Sequence, residues 1–346
     1  MIRSLTFTNQ FGRSMRCILG EPERSGFAIT SISGLGPGHS TVNIHDIATT
    51  DGGYFGSARF SSRNIVVNFR LLDVDIDYNY NPVETVRHLS YEFFAPKTRT
   101  QIVVDTDTRS LFIEGYIESN EPQIFQNGVT LTVSILCPGY YFKMVSPTGT
   151  SVEESLYGDG LFQFPFSNES LESPRIEFGS INTEHKHELY YDGDADTGFV
   201  MEITFRGRAV TEFTIQNRPL GKTDAGPVGF INESDIDHPI YSWADDNIIS
   251  RYINIRIADV AARLQGVYSD NIYRSGNRIV ISSITGNKSV MFYDVGGTGY
   301  NILDAVHHLD WLHLYPGDNE FSIVTDETSV MGFSIDAHYE SLYIGV

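Results

Sequence analysis

The sequence predicts a mainly β protein of two domains, a β-barrel with one flanking helix followed by a β-sandwich. Three observations carry this. Short runs of β-branched and aromatic residues recur along the chain, separated by turn residues. Helical periodicity appears in only two places, so helices do not alternate with strands as a parallel α/β sheet requires. A chain of 346 residues, 41% hydrophobic and 12% aromatic, can bury two cores at roughly 100–200 residues per domain.

In the first domain, residues 1–145, short strands are expected at Arg3–Thr8, Met15–Leu19 and Phe27–Ile32, and a stronger one at Asn64–Leu72. Between the last two, a turn rich in glycine (Gly34, Gly36, Pro37, Gly38) runs into a polar, glycine-punctuated stretch over 38–62. It reads as a long loop, and such a loop in a compact domain is an interaction loop or a disordered one. Tyr54, Phe55 and Phe60 argue for docking, with Arg59 and Arg63 beside them as further contact residues.

A helix follows. Asn81 reads as its N-cap, Pro82 as the first helical residue and Glu84 as the capping-box acid. Val83, Val86, Leu89, Ser90, Phe93 and Phe94 fall on one face at helical spacing, and Pro96 ends the run. Gln101–Thr106 and Arg109–Glu118 form a hairpin about Asp107-Thr108, with Gly115 as a bulge. Val129–Leu136 alternates as a strand that Cys137-Pro138-Gly139 closes.

A polar stretch at 144–160 marks the boundary to the second domain, residues 146–346. Strands are expected there at Arg175–Phe178, Glu188–Tyr191, Phe199–Phe205, Val210–Ile215, Arg278–Ser283, Ser289–Tyr293, Glu320–Val324 and Val330–Ile335, a spacing that suggests a sandwich. Ile257–Leu264 reads as a short helix. Asn217–Ser250 breaks the rhythm and reads as an inserted loop or arm, at about 217–250, carrying Tyr241 and Trp243.

The formal net charge is −20, divided as −2 over residues 1–145 and −18 over 146–346. That excess of acid opposes non-specific nucleic-acid binding. Met1–Gln10 alternates like a first strand and has no apolar h-region, and no long apolar run suggests a membrane span, so a soluble protein is expected. Two cysteines, Cys17 and Cys137, support no disulfide framework and read as buried small residues.

The search for chemistry comes up empty. His185 and His187 share one face of an extended segment, but no third ligand is in sight and a solvated turn is the simpler reading. Asp192, Asp194 and Asp196 alternate as in a calcium loop, yet Thr197 and Ile203 stand where that loop needs glycine and a bidentate glutamate. They remain weak metal candidates and an acidic turn is expected. Trp311, flanked by His307, His308 and His313, joins Tyr241 and Trp243 as candidates for stacking on a sugar, though a core Trp is the plainer reading. No GxSxG, P-loop, HExxH or CxxC occurs, and no carboxylate pair has a framework for glycoside hydrolysis. No enzyme, cofactor or resident metal is expected.

The phrases ISGLGPGHSTVNIHDIATTDGGYFGSARFSSRNIVVNFRLL (32–72) and IEGYIESNEPQIFQNGVTLTVSILCPGYYF (113–142) resemble the N-terminal domain of siphophage distal tail proteins, the Dit family. More loosely, SPRIEFG (173–179), DGDADTG (192–198), ITGNKSVMFYD (284–294), YNILDAVHHLDWLHLYPGDNEFSI (300–323) and YESLYIGV (339–346) resemble that family's second domain. Asn217–Ser250 lies outside the pattern. The resemblance implies an N-terminal β-barrel carrying a helix and a galectin-like C-terminal sandwich. It further implies a virion structural protein, assembled in the host cytoplasm, in which six copies form a ring at the distal end of the tail tube. Its expected partners are the tube protein, the tail-tip hub protein and a receptor-binding protein or host saccharide, with DNA passing through the ring unbound and no membrane involved. Saccharide binding by the second domain is the alternative function.

Overall fold

The computed structural model describes residues 1–46, 51–76, 79–123, 128–145, 152–157, 184–207, 210–220, 222–223, 226–227, 251–325 and 332–346. The chain forms two compact units, Met1–Thr150 with Leu342–Val346, and Ser151–Ser341. The segment 342–346, assigned by the sequence reading to the second domain, therefore belongs to the first unit.

The first unit runs β1 (Ile2–Asn9), β2 (Ser14–Ile18), β3 (Phe27–Ser33), β4 (Ser40–Asp46), β5 (Gly53–Phe60), β6 (Arg63–Leu71), β7 (Val74–Ile76), β8 (Asn79–Asn81), α1 (Val83–Phe93), β9 (Arg99–Thr106), β10 (Ser110–Gln123), β11 (Thr130–Cys137) and β12 (Phe142–Met144). Its main sheet has the order β2-β1-β9-β10-β11-β6-β3, with β12 on β10 and Leu342–Tyr343 on β12. β2 and β3 are its edges and no ladder joins them, so the expected barrel is not closed. The turn Pro22–Arg24 connects the two edge strands, and the chain enters β3 at Gly26 (φ +77°), under Val74 and Val86. A Cβ on Gly26 would lie 2.7 Å from Val74 Cγ2, so the β7 and α1 side chains occupy that place.

The open sheet nevertheless curls. β1 and β6 are four ladders apart, about 19 Å in a flat sheet at about 4.8 Å per strand. Their residues Phe7 and Phe69 instead bring their ring centroids to 5.9 Å, with Phe27 and Phe94 completing the cluster. Inward positions along β6 (Ile65, Val67, Phe69, Leu71) alternate with outward polar ones (Asn64, Asn68, Arg70), as a sheet with one buried face requires. Cys17 and Cys137 are both buried, and burial pushes their thiols up to about 12 and about 11.

Helix α1 buries Val86, Ser90 and Phe93 and turns Leu89 outward. Its cap is not the expected one. Asn81 ends β8, Pro82 is the extended cap residue, and the first helical N–H, on Val83, donates to Asp73 Oδ1 at 2.8 Å. A carboxylate from the β6–β7 connection thus meets the positive end of the helix. Gly115 is no bulge either. It pairs regularly with Thr100, and the register shift falls between Ile117 and Ser119. The glycine serves close approach instead, because a Cβ there would lie 2.8 Å from Cys137 Sγ and from Ile135 Cγ2.

One carboxylate ties four strands. Asp105 on β9 accepts from Ser4 Oγ on β1 (2.6 Å), Ser110 Oγ on β10 (2.7 Å) and Arg16 Nη2 on β2 (3.2 Å). Burial raises its pKa, but the two hydroxyls and the guanidinium together outweigh it and hold the carboxyl below the ordinary aspartate value. A carboxyl whose pKa is depressed by folding contributes stability above its unfolded pKa and loses it as pH falls through the folded one. Denaturant titrations stepped from pH 5 downward are therefore expected to show the wild type losing more stability below about pH 4 than Asp105→Asn does. Parallel curves would refute the assignment.

The second unit is a sandwich. One sheet has the order Val152–Tyr157, Phe333–Tyr339, Val200–Phe205, Arg278–Ser282, Ser289–Tyr293, Gly299–Asn301. The other has the order Glu184–Tyr191, Gly317–Thr325, Glu212–Pro219, Arg251–Arg256, His308–Leu309. Alternating residues of both enter one core, with Met201, Ile203, Ile279 and Ile335 from the first and Ile215, Ile253, Ile255 and Ile323 from the second. Phe213 meets Phe333 across the layers at 5.0 Å. The helix Ile257–Leu264 lays Ile257, Val260 and Leu264 against this core. Part of the boundary expected at 144–160 is in fact the edge strand Val152–Tyr157. The expected strand Arg175–Phe178 and residues 228–250 lie outside the described residues.

Candidate functional site

Within the stretch 38–62 the described residues form a two-stranded ribbon rather than a loop. β4 and β5 pair from Ser40↔Phe60 to Asp46↔Gly53, and every residue of both strands is exposed. The register shifts between Asn43 and Ile44, leaving Gly56 as the extra residue of a β-bulge. Residues directly opposite share a face. One face therefore carries Val42, Ala58, Ile44, Phe55 and, at the root, Phe60. The opposite face carries Thr41, Arg59, Asn43, Ser57, His45 and Tyr54. On that polar face Asn43 Nδ2 donates to Ser57 Oγ at 3.1 Å and His45 stacks on Tyr54 at 5.1 Å.

The apolar face is uncovered, with Ile44 64% and Phe55 66% exposed. An isolated two-stranded ribbon is marginal in water, so this arm is a surface that gains from a partner. Tyr54 and Phe55 face opposite ways as neighbours on a strand do, and the bulge sets which way: Phe55 joins the apolar stripe, Tyr54 the polar face. Val42 and Ile44 were missed in the sequence, although TVNIHD alternates as a strand does.

The root of the arm is held by Arg63, placed otherwise than an exposed contact residue. It is 4% exposed. Its Nε donates to Tyr140 O at 2.9 Å, its Nη1 to Gly34 O and Gly36 O at 2.6 Å each, and its Nη2 to Ile344 O at 2.6 Å. The guanidinium also lies 4.7 Å from the Tyr140 ring and 4.8 Å from that of Phe142. Burial lowers its pKa from the ordinary guanidinium value. Tyr140 locks the other side: its hydroxyl accepts from Gly38 N at 2.8 Å and its ring stacks on Phe60 at 4.0 Å.

The remaining residues singled out in the sequence lie in the second unit. Asp192, Asp194 and Asp196 are exposed and alternate with buried Gly193, Ala195 and Thr197. Asp196 Oδ2 is 3.5 Å from His313 Nδ1, and that bond holds its carboxyl below the usual value against the opposing effect of burial. Among the described residues no three His, Cys, Asp or Glu side chains group as metal ligands. His185 and His187 are half-buried in the strand Glu184–Tyr191 rather than in a solvated turn. Trp311 is half-buried against the sandwich core, with Lys288 Nζ 5.3 Å from its ring. Tyr241 and Trp243 lie outside the described residues.

No protein-family profile and no curated protein matches the sequence. Among solved structures the chain is similar to SPP1 Dit (gp 19.1), described as a paradigm of the hub adsorption apparatus in phages infecting Gram-positive hosts. The TM-score is 0.54 at 11% identity, over 98% of each chain. Structures of the phage P2 baseplate in its activated conformation, with Ca and with Sr, align over the same shares at TM-scores of 0.34 and 0.35, too distant to bear on the fold. The likeness to SPP1 Dit spans both units, and the chain has a Dit-like, β-rich fold.

Proposed function

We propose that this chain is a non-enzymatic structural protein of a phage tail tip. In this reading it is an adaptor of the distal tail type, whose first units close into a homo-hexameric ring between the tail tube and the tip hub, leaving a passage for DNA. The observation that carries the reading is the fold likeness to SPP1 Dit over 98% of both chains. Two further features support it. A ring of identical subunits needs two different complementary patches on each copy, and the uncovered face of the β4–β5 arm supplies one. The near-neutral charge of residues 1–145 suits a passage wall that does not grip phosphates.

Light scattering coupled to size exclusion tests the ring. A species near six times the 38.8 kDa chain mass is expected, free or templated on purified tail tubes. A chain that stays monomeric and does not add to tube ends would overturn the reading. The arm makes a sharper prediction. Phe55→Asp places a charge in the apolar stripe and is expected to leave monomers, whereas Tyr54→Asp, on the polar face, weakens assembly less. A hexamer that survives Phe55→Asp would remove the arm from the interface.

A further inference from the structure

The segment Leu342–Val346 is the one part of the chain that reaches the first unit from beyond the second. Leu342 and Tyr343 add a short strand to β12, with Tyr343 opposite Phe142 and fully buried. The Arg109 guanidinium lies 4.5 Å from the Tyr343 ring. Ile344 O takes an Arg63 N–H, and Val346 N donates to Leu35 O at 3.0 Å. Gly345 sits so close that a Cβ on it would lie 3.2 Å from Leu35 O. Five consecutive residues thus grip the turn 34–36, Arg63 and β12. Those same groups form the root of the arm, since Gly34–Gly38 leads into β4 and Arg63 begins β6 directly after β5.

We infer that Leu342–Val346 is a clasp peptide. A strand-accepting site formed by β12 and the Gly34–Gly38 turn receives it, and only the clasped form holds the arm root in place. The chemistry is strand addition, in which main-chain hydrogen bonds give affinity and a buried side chain, Tyr343, gives specificity. Ile344 lies 281 residues beyond Arg63, so the whole of the second unit is synthesised before the clasp exists. Domains fold in order during synthesis. A nascent first unit therefore carries an unset arm root and does not offer the arm to another copy until the second unit has been made. The timing half of this inference rests on the arm being a subunit contact; the clasp itself does not.

The test is hydrogen exchange on the full chain with two substitutions. Tyr343→Asp puts a charge in the buried strand position. Gly345→Val only crowds the Leu35–Gly36 backbone, and decides the matter if the first variant fails to fold. In either, once the 343–346 amides exchange freely, the Gly38 amide and its neighbours at the arm root are expected to lose protection about tenfold or more. Amides of β1, β9 and β10 and of the second unit keep theirs, and a synthetic peptide of residues 339–346 restores the root. Unchanged root protection with a released segment would overturn the clasp. So would collective loss of β1, β9 and β10, which would make the segment ordinary core. Solution mass separates the two claims. If the wild type assembles and the released variants do not, the timing role stands; if they assemble alike, it falls. If the wild type never assembles, the arm reading fails while exchange still decides the clasp.

Discussion

Replacing Arg63 with methionine is expected to destabilise the first unit by about 3 kcal/mol, because four main-chain carbonyls lose one shared donor. A buried acceptor left without a partner costs about 1–3 kcal/mol, so four would exceed the total stability of many domains. The cost is lower here because a cavity of about 460 Å³, lined by Gly34, Gly36, Pro37, Gly38, Arg63 and Tyr140 among others, admits water to part of this set. Arg63→Lys keeps the charge but replaces a planar fork by a point ammonium, which cannot reach carbonyls on three separate segments at once. It is expected to cost about half as much. Of the two tryptophans, Trp311 lies in the second unit and Trp243 outside the described residues, so indole fluorescence is no direct report on the first. Calorimetry does: with about 2–4 °C lost per kcal/mol for a unit of this size, the methionine variant should lower one transition by about 6–12 °C and leave the other in place. A shift of less than 2 °C would mean that water replaces the guanidinium without penalty.

Arg63 also shows where sequence reading reached and where it stopped. Period-two alternation, strand composition and a hairpin turn located β1, β6, β9 and β11 to within a residue or two, because a sheet with one buried face writes itself into the chain. The apolar stripe of α1 was equally plain. Its cap was not, since Asp73 lies ten residues upstream and only the fold of β7 and β8 brings it to Val83. The acceptors of Arg63 lie at positions 34, 36, 140 and 344, and nothing local distinguishes a guanidinium aimed at them from one in solvent. β4 and β5 were hidden because the Gly56 bulge breaks the alternation of the second strand, while Gly52 and Gly53 look like loop. Open and closed sheets share one alternation pattern, so strand signals could not decide between a barrel and a curled sheet. The adjacent Glu153 and Glu154 made the edge strand Val152–Tyr157 read as a linker.

The curl of the open sheet rests on Phe69, and truncating it is the second large effect. Phe69 is fully buried on β6, with ring partners Phe7 at 5.9 Å, Phe27 at 5.6 Å and Phe94 at 5.8 Å. Those rings come from β1, β3 and the end of α1, so one side chain joins both ends of the sheet to the helix that covers it. Phe→Ala in a packed core costs about 3–5 kcal/mol in lost transfer energy and cavity. Three aromatic contacts at about 0.5–1.5 kcal/mol each favour the upper end. Phe69→Leu retains most of the volume and should cost no more than about 1.5 kcal/mol. In calorimetry Phe69→Ala should lower the first unit's transition by at least as much as Arg63→Met does, leaving the second unit's transition where it was. The two positions share β6 but no partners, Arg63 at its start and Phe69 near its end, so their effects should add to within about 0.5 kcal/mol. Strong non-additivity would show that the arm root and the aromatic cluster melt as one element, and that the clasp acts on the whole sheet rather than on the arm alone.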